Sequence, residues 1–489
     1  MTSRLLTVSR AARLVGVSRG TLQKKIRDGE LPTFEGMVQA GDVLRLFPHT
    51  DFGQDAEFER VTRIKATAFA RRVRERLLPD AEVLAERLHD LGAELARTRA
   101  RAEHFCSLLE RLAAELDGIE RTAGGDTAHA VRALRKWLRQ ELRHRDADPD
   151  RYAPFAVEDS LLRIMEAHVR VLPGGSDFFV EGADAILDAA LGSGLALDYG
   201  CTDGSCGRCK AKIVSGRVKQ IRTPARLLND AEVDEGYVLL CCHTAVTDLV
   251  IQAREATRVE DIPVRQVEAQ VRREWRPRED ICIVEVRNPP HACLRFLAGQ
   301  EVELDLGAGL VRRCPVASCP CEPRDLQFHL RRRSDDPFSD QVFHRLRPGD
   351  PVRLEGPAGR FVLDRDSPRS LIFFAWETGF APIKGLIEHA MASQVAETLH
   401  LYWVATQEGG QYMDNLCRAW ADALDNFDYT PLVAGRNPQD LIRIIARAHA
   451  DLENYDVYVA GPGAVVRSAR SALPELGLPE AQLHAYSTD

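Results

Sequence analysis

Long apolar runs are what this 489-residue chain lacks. Its longest, such as 371–376, are strand-sized, whereas a membrane-spanning helix takes about 20 apolar residues. The N-terminal MTSRLLTVSRAARL has no apolar core of the secretory kind, so the expectation is a cytoplasmic protein without a membrane span. Lysine is scarce too: eight of the 65 basic residues are Lys, which fits a GC-rich genome better than a functional choice. A balance of 28% charged and 45% hydrophobic residues excludes a disordered or fibrous chain. The length suggests about three folding units at ~150 residues each, large enough to bury cores without disulfides. Against these absences stand twelve cysteines. In a cytoplasmic protein they are not expected to form a disulfide framework, so they call for another use.

Charge is unevenly spread. Residues 1–48 carry eight Lys or Arg against four Asp or Glu, a net of +4, while residues 151–489 sum to −11. A basic head on an acidic body points to two kinds of partner.

Cys201, Cys206 and Cys209 have the spacing C-x4-C-x2-C, and Cys241 and Cys242 follow. Four thiolates are what a 2Fe-2S cluster requires. Gly204 and Gly207 suit a loop that must wrap a cluster closely. A structural zinc site would prefer two C-x2-C pairs, and only one exists. Segments 169–171 and 178–180 read as a hairpin around Pro-Gly-Gly, and 186–191 as a short helix. The stretch GYVLLCCH at 236–243 resembles the ferredoxin pattern "G-Y-V-L-x-C", and residues 166–255 resemble a plant-type ferredoxin (β-grasp, α+β). That resemblance implies Cys201, Cys206, Cys209 and Cys241 as the cluster ligands. Cys314, Cys319 and Cys321 form C-x4-C-x-C, which fits no common cluster and reads as packing. Cys106 and Cys417 fall on expected helices and read the same way.

Beyond residue 266 the pattern turns to short strands at 281–286, 301–306, 326–330 and 352–354, expected to form an antiparallel β-barrel (266–365). From 366 to 489 apolar strands at 372–375, 399–404 and 457–460 alternate with helices such as 383–393, the mark of an α/β nucleotide-binding unit. A barrel followed by an α/β unit resembles the ferredoxin–NADP reductase superfamily. With a ferredoxin in front it is similar to oxygenase reductase components and to CDP-6-deoxyglucoseen reductase. The resemblance implies FAD near Arg312, Ser318, Ser339 and Gly359, and NADH or NADPH near Thr378, Gly379, Gly461 and Pro462. The family's "R-x-Y-S-x-x-S" is here Arg312-Arg-Cys314-Pro315-Val-Ala-Ser318, so the flavin-stacking Tyr becomes Cys and its neighbouring Ser becomes Pro. The family's "G-G-T-G-x-A-P" is Trp376-Glu377-Thr378-Gly379-Phe-Ala-Pro382, where a carboxylate at 377 should repel a dinucleotide phosphate. "C-G-P" is Ala460-Gly461-Pro462. Tyr486 is the candidate for the usual terminal aromatic.

The N-terminal region is expected to be helical. Residues 1–50 resemble the winged helix-turn-helix of MerR-type regulators and excisionases, which would bring Arg19, Thr21, Gln23, Lys24 and Arg27 to the major groove of double-stranded DNA; a protein-contact module is the alternative. Residues 56–150 form a helical stalk and linker. Within it Leu84, Leu88, Leu91, Leu95, Thr98, Ala102, Phe105, Leu109, Leu112, Leu116 and Ile119 alternate steps of four and three, a coiled-coil seam (84–119) that would make a homodimer, the alternative being a long helix folded back on segment 62–78 across Pro79.

The expected function is an iron–sulfur flavoprotein reductase that moves electrons from NAD(P)H through FAD and a 2Fe-2S cluster to an electron-acceptor protein. The alternatives are a redox-sensing DNA-binding regulator built on a degenerate reductase body, or an assembly factor that docks through its stalk. No catalytic residue is assigned.

Overall fold

The computed structural model of the chain describes residues 81–122 and 166–489, except 226, 257, 436 and 450, together with 131–134, 136 and scattered positions between 5 and 47. The five residues expected to face DNA, Arg19, Thr21, Gln23, Lys24 and Arg27, lie outside the described residues. What is described of the head is a three-stranded antiparallel sheet of β1 (Leu5–Thr7), β2 (Thr33–Phe34) and β3 (Met37–Gln39), ordered β1-β3-β2. Among the described residues no helix is long and apolar enough to cross a membrane.

Helix α1 (Ala81–Thr122) is rich in Ala, Leu, Glu and Arg, the strongest helix formers, and runs for 42 residues, about 60 Å at 1.5 Å per residue. Part of its expected seam faces water within one chain: Leu88, Leu95, Phe105 and Leu112 are 49–61% exposed, whereas Leu116 is buried. Near its start the buried Arg87 donates to the carbonyls of Gly182 (3.0 Å) and Ala245 (2.9 Å), tying the helix to the unit that follows.

That unit is a five-stranded sheet ordered β5-β4-β10-β6-β8. Its strands are β4 (Glu166–Leu172), β5 (Asp177–Glu181), β6 (Lys210–Ser215), β8 (Tyr237–Leu239) and β10 (Leu249–Gln252). β4 and β10 run parallel and the other pairs antiparallel. Helix α2 (Ile186–Gly192) buries Ile186, Leu187 and Leu191 against the sheet. β7 (Val218–Gln220) and β9 (His243–Ala245) form a side ribbon, and α3 (Asp230–Asp234) is capped by Asn229.

The barrel unit is a six-stranded antiparallel sheet ordered β14-β13-β16-β11-β12-β15. It comprises β11 (Arg265–Arg278), β12 (Ile281–Arg287), β13 (Glu301–Asp305), β14 (Val311–Pro315), β15 (Asp325–Arg331) and β16 (Pro351–Ala358). β11 and β14 are absent from the sequence reading. β11 is rich in Arg and Glu and loses its alternation after Val271, and β14 carries two Arg and one fully buried side chain, so neither gives a sustained periodic signal. The seam between the edge strands is drawn together where Ala317 N donates to Gln327 O at 2.8 Å. Helix α4 (Pro337–Asp340) covers one end.

The last unit is a parallel sheet ordered β19-β18-β17-β20-β21. It contains β17 (Ser370–Trp376), β18 (Leu399–Ala405), β19 (Phe427–Val433), β20 (Tyr455–Gly461) and β21 (Leu483–Ser487). Helices α5 (Phe380–Ser393) and α6 (Asp414–Ala423) pack on one core with Phe373 and Trp403. Helices α7 (Pro438–Ala448) and α8 (Gly463–Glu475) pack on the other with Ile372 and Val459. β17 and β20 are near-continuous apolar runs because both faces of the sheet are covered. Trp403 is fully buried, stacks on Phe380 with ring centroids 3.8 Å apart, and donates Nε1–H to Glu377 O. Trp403→Ala is expected to cost about 3–5 kcal/mol, read as an earlier denaturation transition by near-UV circular dichroism and tryptophan fluorescence.

Candidate functional site

The four cysteines expected to hold a cluster converge although 40 positions separate the first from the last. The Cys209 and Cys241 sulfurs are 3.3 Å apart. Burial pushes the Cys206 thiol up to about 11, and the neighbouring Cys201 thiol adds to that rise. Cys201, Cys209 and Cys241 are buried and Cys206 is half-buried. Cys242 lies beside Cys241, with sulfurs 3.6 Å apart. The loop geometry depends on Gly204: its φ is +86°, and a Cβ there would sit 2.5 Å from the Cys242 sulfur. Four thiols from a tight loop and a distant strand end are a donor set that fits a 2Fe-2S cluster. Arg222 holds the two parts of the loop together, donating to the carbonyls of Thr202 (2.8 Å) and Cys241 (3.0 Å).

This loop rests on the barrel unit. Thr202 N donates to Pro290 O and Cys293 N to Gly200 O, at 2.8 and 2.9 Å. Arg324 donates to the Thr202 hydroxyl through two nitrogens. Cys293 belongs to the same apolar core as Cys209 and Cys241.

The residues expected at a flavin are engaged within the protein. Arg312 pairs with Asp336 and lies over the Phe338 ring. Burial raises the Asp336 carboxyl, but the hydrogen bonds from Ser339 and Arg312 outweigh it and bring it to about 2. Arg312 is thus already paired with a carboxylate, which a diphosphate would have to displace. Ser339 is buried and its Oγ accepts from Arg333 N at 3.1 Å, while Ser318 Oγ accepts from Gln327 N at 3.1 Å. Both hydroxyls therefore serve the protein's own backbone. Gly359 follows β16 with its carbonyl accepting from Gln300 at 3.3 Å. Cys314 points into the barrel core, and burial pushes its thiol up to about 12, so it stays neutral. Close to it, Tyr486 donates to Glu301 Oε2 at 3.0 Å and lies 5.7 Å from the Phe361 ring. The poorly alignable terminal aromatic is thus brought to the barrel by pairing of β21 with β20.

At the carboxyl ends of β17 and β20, Thr378 and Gly379 meet Gly461 and Pro462. A Cβ on Gly379 would lie 2.0 Å from Ala460 O, so the two turns can approach only because this residue is glycine. In open α/β sheets this edge is where dinucleotides bind. Glu377 departs from the sequence expectation. Its side chain is 3% exposed and its charge is met by Arg278, whose guanidinium donates to Oε2 at 2.9 Å. Thr406 donates to Oε1 through its backbone N–H (2.5 Å) and its hydroxyl (2.6 Å). The expected repulsion of a phosphate is thereby countered. No signal in the sequence paired Glu377 with Arg278 and Thr406.

The twelve-thiol reading needs one correction. Cys319 and Cys321 are joined as a disulfide, made feasible by a turn that puts their Cα atoms 5.0 Å apart. They lie beside His389 of α5, not beside Cys314.

These features describe a ferredoxin-like unit docked on a barrel and an α/β unit. Residues 171–247 match the 2Fe-2S iron-sulfur cluster binding domain family, and the chain carries a 2Fe-2S cluster as its cofactor. The chain is 30% identical over 322 residues to the CDP-6-deoxy-L-threo-D-glycero-4-hexulose-3-dehydrase reductase of Yersinia pseudotuberculosis, covering 65% of this chain and 96% of that protein. It is 29% identical over 313 residues to reductase component 1 of terephthalate 1,2-dioxygenase from Comamonas, covering 62% of this chain and 91% of that one. Among solved structures, the Amycolatopsis cytochrome P450 reductase GcoB is similar at 24% identity and a TM-score of 0.43, covering 66% of this chain and 98% of that one. The chain belongs to the family of ferredoxin-containing reductases that includes the Yersinia dehydrase reductase.

Burial raises the Glu377 carboxyl, but the Thr406 and Arg278 bonds outweigh it and hold it below its ordinary 4.5. A depressed carboxyl contributes stability that is full above the ordinary value and is lost as pH falls through the lowered one. Glu377→Gln is therefore expected to lower the melting temperature at neutral pH. Its deficit relative to the parent should shrink as pH falls below about 4.5, measured by differential scanning fluorimetry across an acid series.

Proposed function

We propose that the chain is an iron–sulfur flavoprotein reductase that passes electrons from NAD(P)H through FAD and the 2Fe-2S cluster to a separate oxygenase or dehydratase. The observation that carries this reading is the docking of the four-thiol loop on the barrel through Thr202, Cys293 and Arg324. When bound, FAD would supply hydride acceptance from reduced nicotinamide and release of single electrons, and the cluster would supply one-electron transfer. Cys201, Cys206, Cys209 and Cys241 supply the thiolates, and Arg222 keeps the two halves of their loop in register. Arg312 would hold the flavin diphosphate in place of the Asp336 carboxylate, with Ser318, Ser339 and Gly359 at the strand ends around it. Thr378, Gly379, Gly461 and Pro462 line the nicotinamide nucleotide edge, and Arg278 keeps the Glu377 charge from it. The names of relatives support a protein acceptor: one is the reductase of a dehydrase, another the reductase component of a dioxygenase.

Anaerobically purified protein is expected to be brown, to release flavin on denaturation, and to bleach at both chromophores with NADH or NADPH. Protein that contains iron but no flavin, and is inert to both nicotinamides, would overturn the reading. Cys206→Ser should remove the cluster absorption while leaving nicotinamide-dependent bleaching of the flavin.

The exposed seam of α1 supports a homodimer. Leu88, Leu95, Phe105 and Leu112 repeat at the spacing of a two-stranded coiled coil, and a second copy offers the same stripe. Leu95→Glu with Leu112→Glu is expected to halve the molar mass seen by sedimentation equilibrium without changing the cluster spectrum.

A further inference from the structure

The loop that links β14 to β15 lies along one face of α5. Lys384 Nζ donates to Ala317 O at 3.1 Å and pairs with Glu388 at 2.7 Å. Cys319 N donates to Glu388 Oε2 at 3.3 Å. One helical position further on, His389 turns its Nδ1 toward both sulfurs of the loop, 3.9 Å from Cys319 Sγ and 3.8 Å from Cys321 Sγ. Cys319 and His389 are buried and Cys321 is half-buried, and the three donor atoms lie within 4.8 Å of one another. Cys321 and His389 also line a small cavity that Leu195, Tyr199 and Arg295 close from the other side.

We propose that, with its thiols reduced, the chain binds a borderline-soft divalent cation of the Zn²⁺ class through Cys319, Cys321 and His389, apart from the iron–sulfur cluster. Tetrahedral zinc, with Zn–S of about 2.3 Å and Zn–N of about 2.0 Å, separates an imidazole nitrogen from each sulfur by about 3.6 Å. The observed separations are close to that. A disulfide alone gives no use for a buried imidazole nitrogen aimed at both sulfurs, since a bonded sulfur is a weak acceptor. Two thiolates and a neutral imidazole are a ligand set for zinc, to which a water molecule is the usual fourth ligand. The metal would fasten the barrel loop to α5 and so fix the barrel against the α/β unit. Occupancy is tied to redox state. Two electrons and two protons open the Cys319–Cys321 bond to two thiols, and coordination then releases both thiol protons. In vitro a water-soluble phosphine supplies the electrons and is itself oxidised to its oxide with water as the oxygen source.

The test uses the full-length chain, reduced with phosphine under anaerobic conditions, dialysed against chelator and then against Zn²⁺. Elemental analysis is expected to give about one zinc per chain alongside the two irons of the cluster. Cys319→Ser with Cys321→Ser, and separately His389→Ala, should lose the zinc and keep the iron and its visible spectrum. Zinc retained by these variants would place it on the cluster cysteines and overturn the site. So would absence of zinc from the reduced parent. Should a variant fail to fold, Co²⁺ added to the reduced parent decides the question. Tetrahedral thiolate ligand-field bands that vanish on adding Zn²⁺ support the site, and an octahedral spectrum refutes it.

Discussion

The carboxyl edge of the α/β unit is organised around one buried charge. Glu377 stands where a glycine would give the chain freedom, and it adopts a left-handed φ of +51° all the same. The cost of that backbone and of taking a carboxylate out of water is offset by Arg278 and by two hydrogen bonds from Thr406. Because Arg278 is the last residue of β11, the same ion pair joins the barrel to the end of β17. Trp403 seals it from below by donating to the Glu377 carbonyl. Position and charge of the nucleotide edge therefore depend on a contact made across the two units.

A second coupling connects the other end of the molecule. The thiol loop takes its place from β-grasp packing, but its outer surface is held by backbone bonds to residues 290 and 293 of the barrel unit and by Arg324. Glu255 extends this attachment through an ion pair of 2.6 Å with Arg365, and the buried Arg295 pairs with Asp198 at 3.0 Å. Charged residues at these junctions come from opposite sides and satisfy one another. The net charge of the chain gives no hint of that pairing, because the charges cancel locally.

Regular patterns were legible and irregular ones were not. The three central parallel strands read clearly, since two covered faces demand unbroken apolar runs such as Leu371–Trp376 within β17, whereas the edge strands β19 and β21, with one and no fully buried side chain, were not read. The helix behind them was found for the same reason, although it starts three residues earlier than its periodicity suggests. β14 was missed as a strand because Val311-Arg-Arg-Cys-Pro carries a single buried side chain, Cys314. Among the residues expected at a flavin, the Arg312 charge was legible in the sequence, but not Asp336 as its partner, 24 positions away.

Sequence alone determined the cluster, because C-x4-C-x2-C is a local spacing and a tight loop needs no distant information to present three thiols. It also determined the order of the units, since each announces its own periodicity. The tertiary structure decided what lies 60 or more positions apart. It set Arg278 against Glu377, 99 residues away, and His389 against Cys319 and Cys321, 70 and 68 residues away. Side-chain encounters of that kind follow from the registers of several strands and the packing of α5 on the barrel. None of these is encoded near the residues that meet.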